Sequence, residues 1–334
     1  MRKAAVFGAG SWGTAFAQIL ADSGELDEVG LWARRAEVAD GINRDRRNPD
    51  YLTDVELPQA VRAGTDPAEV ADAAGLAVLA VPSQSLRENL ATWGSALPDD
   101  ALVVSLMKGI ELHTGLRMSE VIEQSGIERE RIVVVSGPNL SKEIAERQPA
   151  AAVVAGVDHG AADRVADLVS QPYFRAYTQT DVVGAEIGGA VKNVIALAVG
   201  MAEGLGYGDN TKSSLITRGL AEIARLGQAL GADPGTLMGL AGVGDLIATC
   251  MSPLSRNHRV GVALGQGRTI EELLALPHQT AEGVKSCRSV VELAGRHGVD
   301  MPICQGVTAV VEGQVTPEVL TGALMNRARK HERA

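Results

Sequence analysis

The first half of the chain alternates short, continuously apolar runs with stretches whose apolar residues recur at helical spacing. The runs are Ala4–Phe7, Val29–Trp32, Leu76–Val81, Leu102–Leu106, Ile132–Ser136 and Ala151–Ala155, rich in Val, Leu and Ala. Apolarity at every position suits strands covered on both faces, as in a parallel sheet. Helical patterns occupy several gaps, at Pro67–Ala74, Ser85–Leu97 and Gly115–Ser125. This alternation predicts an α/β fold built on a doubly wound, mostly parallel sheet. The charged, proline-containing stretch Asn43–Leu57 reads as a loop insertion.

Near residue 181 the pattern changes. From Val182 onward the only β-like run is near Val307–Val311, and helical periodicity dominates. It covers Ala185–Glu203, Ser213–Leu230, Gly235–Met251, Arg256–Leu264, Ile270–Ala275, Gly283–His297, Met301–Glu312 and Pro317–Arg329. The glycine-rich cluster Gly204–Asn210 breaks two of these apart. The expected organisation is therefore an α/β sheet domain over residues 1–181, followed by an all-helical domain over 182–334 that covers the cleft mouth above the sheet. The tail Arg327–Ala334 reads as a solvated helix end.

With 334 residues there is length for two cores, and with only 3% aromatic residues Ala, Val, Leu and Gly must fill them. The net charge of −10 disfavours nucleic acid or an anionic membrane as partner, because no basic surplus exists to neutralise phosphates. Any anionic substrate must be held by local basic residues. Cys250, Cys287 and Cys304 show neither CxxC nor metal-ligand spacing, and so few thiols suit a reducing compartment. No signal peptide and no stretch of about eighteen apolar residues is read, so a cytoplasmic protein without a spanning helix is expected. An apolar helical half makes a homodimer plausible.

The chemistry begins at the first apolar run. Ala4–Phe7 leads into Gly8-Ala9-Gly10-Ser11-Trp12-Gly13, and a helical pattern follows. Glycines at this spacing between strand and helix let a pyrophosphate approach the N–H groups and dipole at the helix N-terminus. The sheet domain is accordingly expected to be of the Rossmann, dinucleotide-binding type. At the end of the second strand, where an acid normally accepts the adenosine 2′-hydroxyl, stand Arg34 and Arg35. An arginine there suits a 2′-phosphate, which favours NADP or dual use over strict NAD; the alternative is a solvated pair opening the next helix.

Proton transfer needs a further group. His113, His159, His278 and His297 fall near loops or charged helix ends, and His331 lies in the tail. Lys192 interrupts an apolar helical segment, which is costly unless the lysine is paired or faces a cleft. The bland alternative is snorkelling at a helix edge. Asn193 beside it can donate to a substrate oxygen. Asp245 interrupts the glycine-rich apolar stretch 239–250; it is either a partner for Lys192 or a helix N-cap after Gly244. Lys108, and Gly137-Pro138-Asn139 with Ser141 beyond, follow strands at the carboxyl edge where doubly wound sheets bind ligands. Ser255-Arg256-Asn257-His258 has the form of an anion site, with Ser255 as cap and Arg256 as bidentate cation.

Together these motifs resemble the bacterial NAD(P)-dependent sn-glycerol-3-phosphate dehydrogenase family over essentially the whole chain. The carrying segments are Gly8–Ala15, Met107–Glu111, Ser136–Asn139, Val191–Val194, Gly242–Leu246, Ser255–Asn257 and Ala281–Gly283. The resemblance implies interconversion of dihydroxyacetone phosphate and sn-glycerol 3-phosphate, with NAD(H) or NADP(H) as cofactor and no metal. It implies Lys192 as catalytic lysine, Lys108 on the same substrate oxygens, and Asp245 orienting Lys192, with Asn193 and Thr249 alongside. Ser255, Arg256 and Asn257 would hold the phosphate, while Gly137 and Asn139 line the substrate side. Ser11, Trp12, Arg34, Ser141 and Glu282 match cofactor-contacting positions, with Lys108 and Arg256 reaching the cofactor as well. Asn139 stands where Ser or Thr is common, and Ser141 where Ala is common. The rival readings are a related hydroxyacid dehydrogenase with a carboxylate substrate, and a nucleotide-sensing protein without turnover.

Overall fold

A computed structural model describes residues 2–275 and 281–326. Eight strands, β1 (Lys3–Phe7), β2 (Glu28–Trp32), β3 (Val61–Gly64), β4 (Leu76–Leu79), β5 (Leu102–Ser105), β6 (Ile132–Ser136), β7 (Ala150–Gly156) and β8 (Phe174–Gln179), form one sheet. Their order is β3-β2-β1-β4-β5-β6-β7-β8. All neighbouring pairs are parallel except β6 with β7. Around the strands lie α1 (Ser11–Asp22), α2 (Ala36–Asp45), α3 (Pro67–Ala71), α4 (Leu86–Trp93), α5 (Met118–Gln124), α6 (Ser141–Ala145) and α7 (His159–Val169). Strand residues alternate between two cores: Ala4, Val6, Val78 and Val104 face one, and Ala5, Phe7, Leu79 and Val103 the other. Burial on both faces is the reason these runs are apolar throughout.

Two strands escaped the sequence reading, and both are edges. β3 has a single buried residue, and β8 alternates, with Phe174 buried and Arg175 exposed. Helix α7 has no counterpart in the sequence reading, whereas α2 is the helix that the alternative reading of Arg34 and Arg35 placed after them. Asn43–Asp45, expected in the loop insertion, complete α2.

The second half contains α8 (Val182–Gly204), α9 (Asp209–Ala229), α10 (Pro234–Leu237), α11 (Asp245–Met251), α12 (Arg256–Gly265), α13 (Ile270–Leu274), α14 (Glu282–Arg296), α15 (Pro302–Val311) and α16 (Pro317–Met325). Val307–Val311, which kept a β reading, belongs to α15. Gly235–Met251 is not one helix. A π-helical turn at Leu240–Gly244 separates α10 from α11, and a Cβ on Gly242 would stand 1.9 Å from the Leu237 carbonyl oxygen. His278, His331 and the tail Arg327–Ala334 lie outside the described residues.

α8 is the axis of this half. Contrary to the expectation of no such stretch, it is long and apolar enough to cross a membrane, but 94% of its apolar window is buried inside the fold. Its apolarity therefore serves the core. Backbones cross closely where α8 meets α12. A Cβ on Gly200 or Gly204 would lie 2.2 Å from the carbonyl oxygens of His258 and Val262, and one on Gly261 or Gly265 would lie 2.3 Å from those of Leu197 and Met201. Glycine on both helices allows this short interaxial distance. Val182 and Ala185 pack with Val134 and Val153, joining α8 to β6 and β7.

Candidate active site

The sheet changes winding direction beside β1, and the cleft opens there, at the carboxyl ends of the strands, as doubly wound folds require. It has a volume of about 840 Å³. One wall is the turn between β1 and α1. Gly8 has φ +126°, and its N–H donates to the Trp32 carbonyl at 3.2 Å. A Cβ on Gly13 would lie 1.9 Å from the Gly8 carbonyl oxygen, whereas one on Gly10 would meet nothing within 4 Å. Gly10 caps α1 without a side-chain hydrogen bond, and no acid occupies the first turn. Free N–H groups, open space at Gly10 and the helix dipole fit a dinucleotide pyrophosphate. Ser11, Trp12, Arg34 and Arg35 line the same cleft. Arg34 is exposed, and Arg35 is ion-paired with Asp50.

At the floor lies a charge cluster drawn from separate segments. Lys192 of α8, 5% exposed, donates through Nζ to Asp245 Oδ1 at 2.6 Å and to Thr249 Oγ1 at 2.6 Å. Lys108, in the loop after β5, donates to the other carboxylate oxygen, Oδ2, at 2.7 Å and to the Gly137 carbonyl at 2.9 Å. Asp245 is the first residue of α11, yet both its oxygens face lysines, so pairing rather than capping describes it. Burial pushes the Lys192 ammonium down to about 8; Asp245 opposes this and Lys108 reinforces it. Two cations sharing one anion leave a net positive charge that one proton loss removes.

Around the cluster, Asn257 Nδ2 donates to Asn193 Oδ1 at 2.9 Å, and Gly283 N–H donates to Asn257 Oδ1 at 2.9 Å. These bonds tie α8, α12 and α14 together. Ser255 caps α12, its Oγ accepting from His258 N–H at 3.2 Å, and Arg256 projects exposed into the cleft. Asn139 and Ser141 line the cleft, and both polar atoms of the Asn139 side chain are buried without a protein partner. Gly137, Asp245, Thr249 and Ser255 stand behind the lining, the first three bonded to Lys108 or Lys192 and Ser255 adjoining Arg256 in the chain. Ser83 Oγ donates to Glu282 Oε2 at 2.7 Å across the cleft. Ser83, Gln84, Asn89, Lys285 and Asp50 also line it and were missed. For Ser83 and Gln84 the signal was present, since they follow β4 at the carboxyl edge. His113, His159 and His297 are exposed and outside the cleft. His258 is buried beside Glu203. Burial pushes the Cys250 thiol up to about 12, which keeps it neutral.

With this sheet order, such a cleft is that of a dinucleotide-dependent dehydrogenase. The chain belongs to the NAD-dependent glycerol-3-phosphate dehydrogenase family, whose N-terminal part matches residues 3–162 and whose C-terminal part matches residues 181–321. It is 60% identical over 332 residues to a glycerol-3-phosphate dehydrogenase (NAD(P)+) of Streptomyces avermitilis, covering 99% of this chain and 98% of that one. A namesake from Streptomyces griseus is 61% identical over 332 residues, with coverage of 99% and 98%. The crystal structure of the Coxiella burnetii glycerol-3-phosphate dehydrogenase superposes with a TM-score of 0.92 at 31% identity, covering 98% of this chain and 99% of that one.

Proposed function

We propose that Lys192 is the proton donor and acceptor as dihydroxyacetone phosphate and sn-glycerol 3-phosphate interconvert, an NAD(P)-dependent reaction that supplies the glycerophospholipid backbone. The observation that carries this reading is the Asp245 carboxylate bridging Lys192 and Lys108 on the cleft floor. The nicotinamide, when bound, supplies or takes up a hydride at carbon 2. In the reductive direction Lys192 Nζ gives its proton to the carbonyl oxygen, which becomes the hydroxyl, and Lys192 then recovers a proton from water. Lys108 polarises that oxygen before transfer and stabilises the charge developing on it. Asp245 and Thr249 aim the Lys192 ammonium, while Gly137 holds Lys108. Asn193 and Asn139 offer amide groups to the substrate hydroxyls.

Arg256, beside Asn257 and Ser255 at the start of α12, binds the substrate phosphate, as expected of a guanidinium at a helix N-terminus. Gly8, Gly10, Ser11, Trp12 and Gly13 cradle the cofactor pyrophosphate; Arg34, Arg35, Ser141 and Glu282 contact the remainder, with Lys108 and Arg256 where cofactor and substrate meet. We assign residues 1–181 to cofactor binding and residues 182–334 to substrate binding and catalysis, since the sheet ends at Gln179 and α8 begins at Val182. We place the activity in the cytoplasm, a setting suited to three free, buried thiols. The test is loss of reduced-cofactor absorbance with dihydroxyacetone phosphate, run in parallel with NADPH and NADH. Turnover is expected with at least one; none with either, despite cofactor binding, overturns the assignment.

A further inference from the structure

The adenosine end of the cleft holds a carboxylate that the β2 sequence lacks. Dinucleotide folds that read an unphosphorylated ribose place an acid at the end of β2, where it accepts the 2′-hydroxyl. Here that position runs Trp32-Ala33-Arg34-Arg35. Asp50 arrives at the same place from the loop between α2 and β3, lining the cleft beside both arginines. Its side chain is only 19% exposed and pairs with Arg35, while Arg34 is exposed and makes no ion pair among the described residues.

Asp50 is also held in place. Its N–H donates to Asn48 Oδ1 at 3.1 Å, and Asn48, fully buried, donates through Nδ2 to the Ala9 carbonyl at 2.9 Å and to Thr14 Oγ1 at 2.8 Å. The loop is thus pinned to the glycine-rich turn itself. A carboxylate fixed there has opposite effects on the two forms of the cofactor. It accepts a hydrogen bond from a free 2′-hydroxyl. Against a 2′-phosphate it repels, and it keeps Arg35 occupied so that Arg34 alone faces the phosphate.

We propose that Asp50 is the specificity-determining residue for the 2′-position, doing from a loop what an acid at the end of β2 does elsewhere and holding the protein to dual cofactor use. This rests on the reading of the cleft as the cofactor site. In this arrangement Arg35 answers to Asp50, so the two residues act on the 2′-phosphate as a unit while Arg34 acts alone.

The experiment is calorimetric titration of the full chain with ADP-ribose and with 2′-phospho-ADP-ribose, alongside kcat/KM for NADH and NADPH. Asp50→Asn is expected to tighten 2′-phospho-ADP-ribose by about tenfold and to weaken ADP-ribose by a similar factor, on the scale of one charge-assisted hydrogen bond. Arg35→Gln, which leaves Asp50 unpaired, should weaken only the 2′-phosphorylated ligand, and the double variant should keep only the part of the Asp50→Asn gain that comes from relieved repulsion. Equal shifts of both ligands in Asp50→Asn, or no gain for 2′-phospho-ADP-ribose in that variant, overturn the proposal and leave the cofactor site standing. A native chain that binds neither ligand overturns both.

Discussion

Along the carboxyl edge of β1 the cleft wall is backbone, while its floor, from Lys108 onward in sequence, is side-chain charge. The Gly8–Gly13 turn offers space and N–H groups, and its geometry follows from six consecutive residues. The floor is assembled from Lys108, Gly137, Lys192, Asp245 and Thr249, carried on four segments that meet only in the folded chain. A backbone site binds by shape and dipole, independently of pH. A site made of one buried anion and two cations is tuned by its neighbours, so removing Asp245 or Lys108 changes the protonation of Lys192.

The largest expected effect separates the two regions outright. Lys192→Ala should lower kcat by about 10²–10⁴-fold, the usual contribution of a general acid, while calorimetric affinity for NADPH and NADH stays unchanged. A comparable loss of cofactor affinity would mean that the regions are not separable. Gly10→Ala should give the converse pattern. Its Cβ meets no protein atom within 4 Å, so the melting temperature should hold while both cofactors bind about tenfold more weakly.

The pH profile sharpens the contrast. In the proposed role Lys192 must be charged for reduction and neutral for oxidation, so with its value near 8 the reductive kcat/KM should fall above about pH 8 and the oxidative one should rise up to it. Asp245→Asn removes the charge that raises Lys192 and should move both limbs to lower pH. Lys108→Met removes the charge that lowers it and should move them to higher pH. Limbs that stay in place in both variants would assign the titration to another group. The smallest effect concerns the scaffold. Gly261→Ala forces a Cβ against the Leu197 carbonyl oxygen and should cost about 1–3 kcal/mol of stability in denaturant titration, a typical overpacking penalty. An unchanged midpoint would show that α8 and α12 can separate without strain.

Which of these features could be read in advance depended on how locally each is encoded. Six strands were legible because burial on both faces demands uninterrupted apolar runs; β3 and β8, at the edges, carry no such demand. The alternating pattern of Phe174–Gln179 was nevertheless a usable strand signal. Lys192 and Asp245 stood out because a lone charge in an apolar helix requires a partner, and the partner each required was the other. Lys108 was read from its position after a strand, without indication that it would share the same carboxylate. Asn193, Asn257 and Gly283, Ser83 with Glu282, and Asp50 with Arg35 are joined by contacts between distant segments, which no single stretch of sequence displays.

By itself, then, the sequence determined what periodicity and local chemistry can encode: the parallel sheet, the helical half, the glycine turn and the isolated charges. Tertiary structure alone decided how those charges combine, because the protonation of Lys192 and the occupation of Arg35 depend on distances of a few ångströms between segments far apart in the chain. It also decided that a π-helical turn stands between α10 and α11, with Asp245 at the head of α11 and both its oxygens toward the lysines.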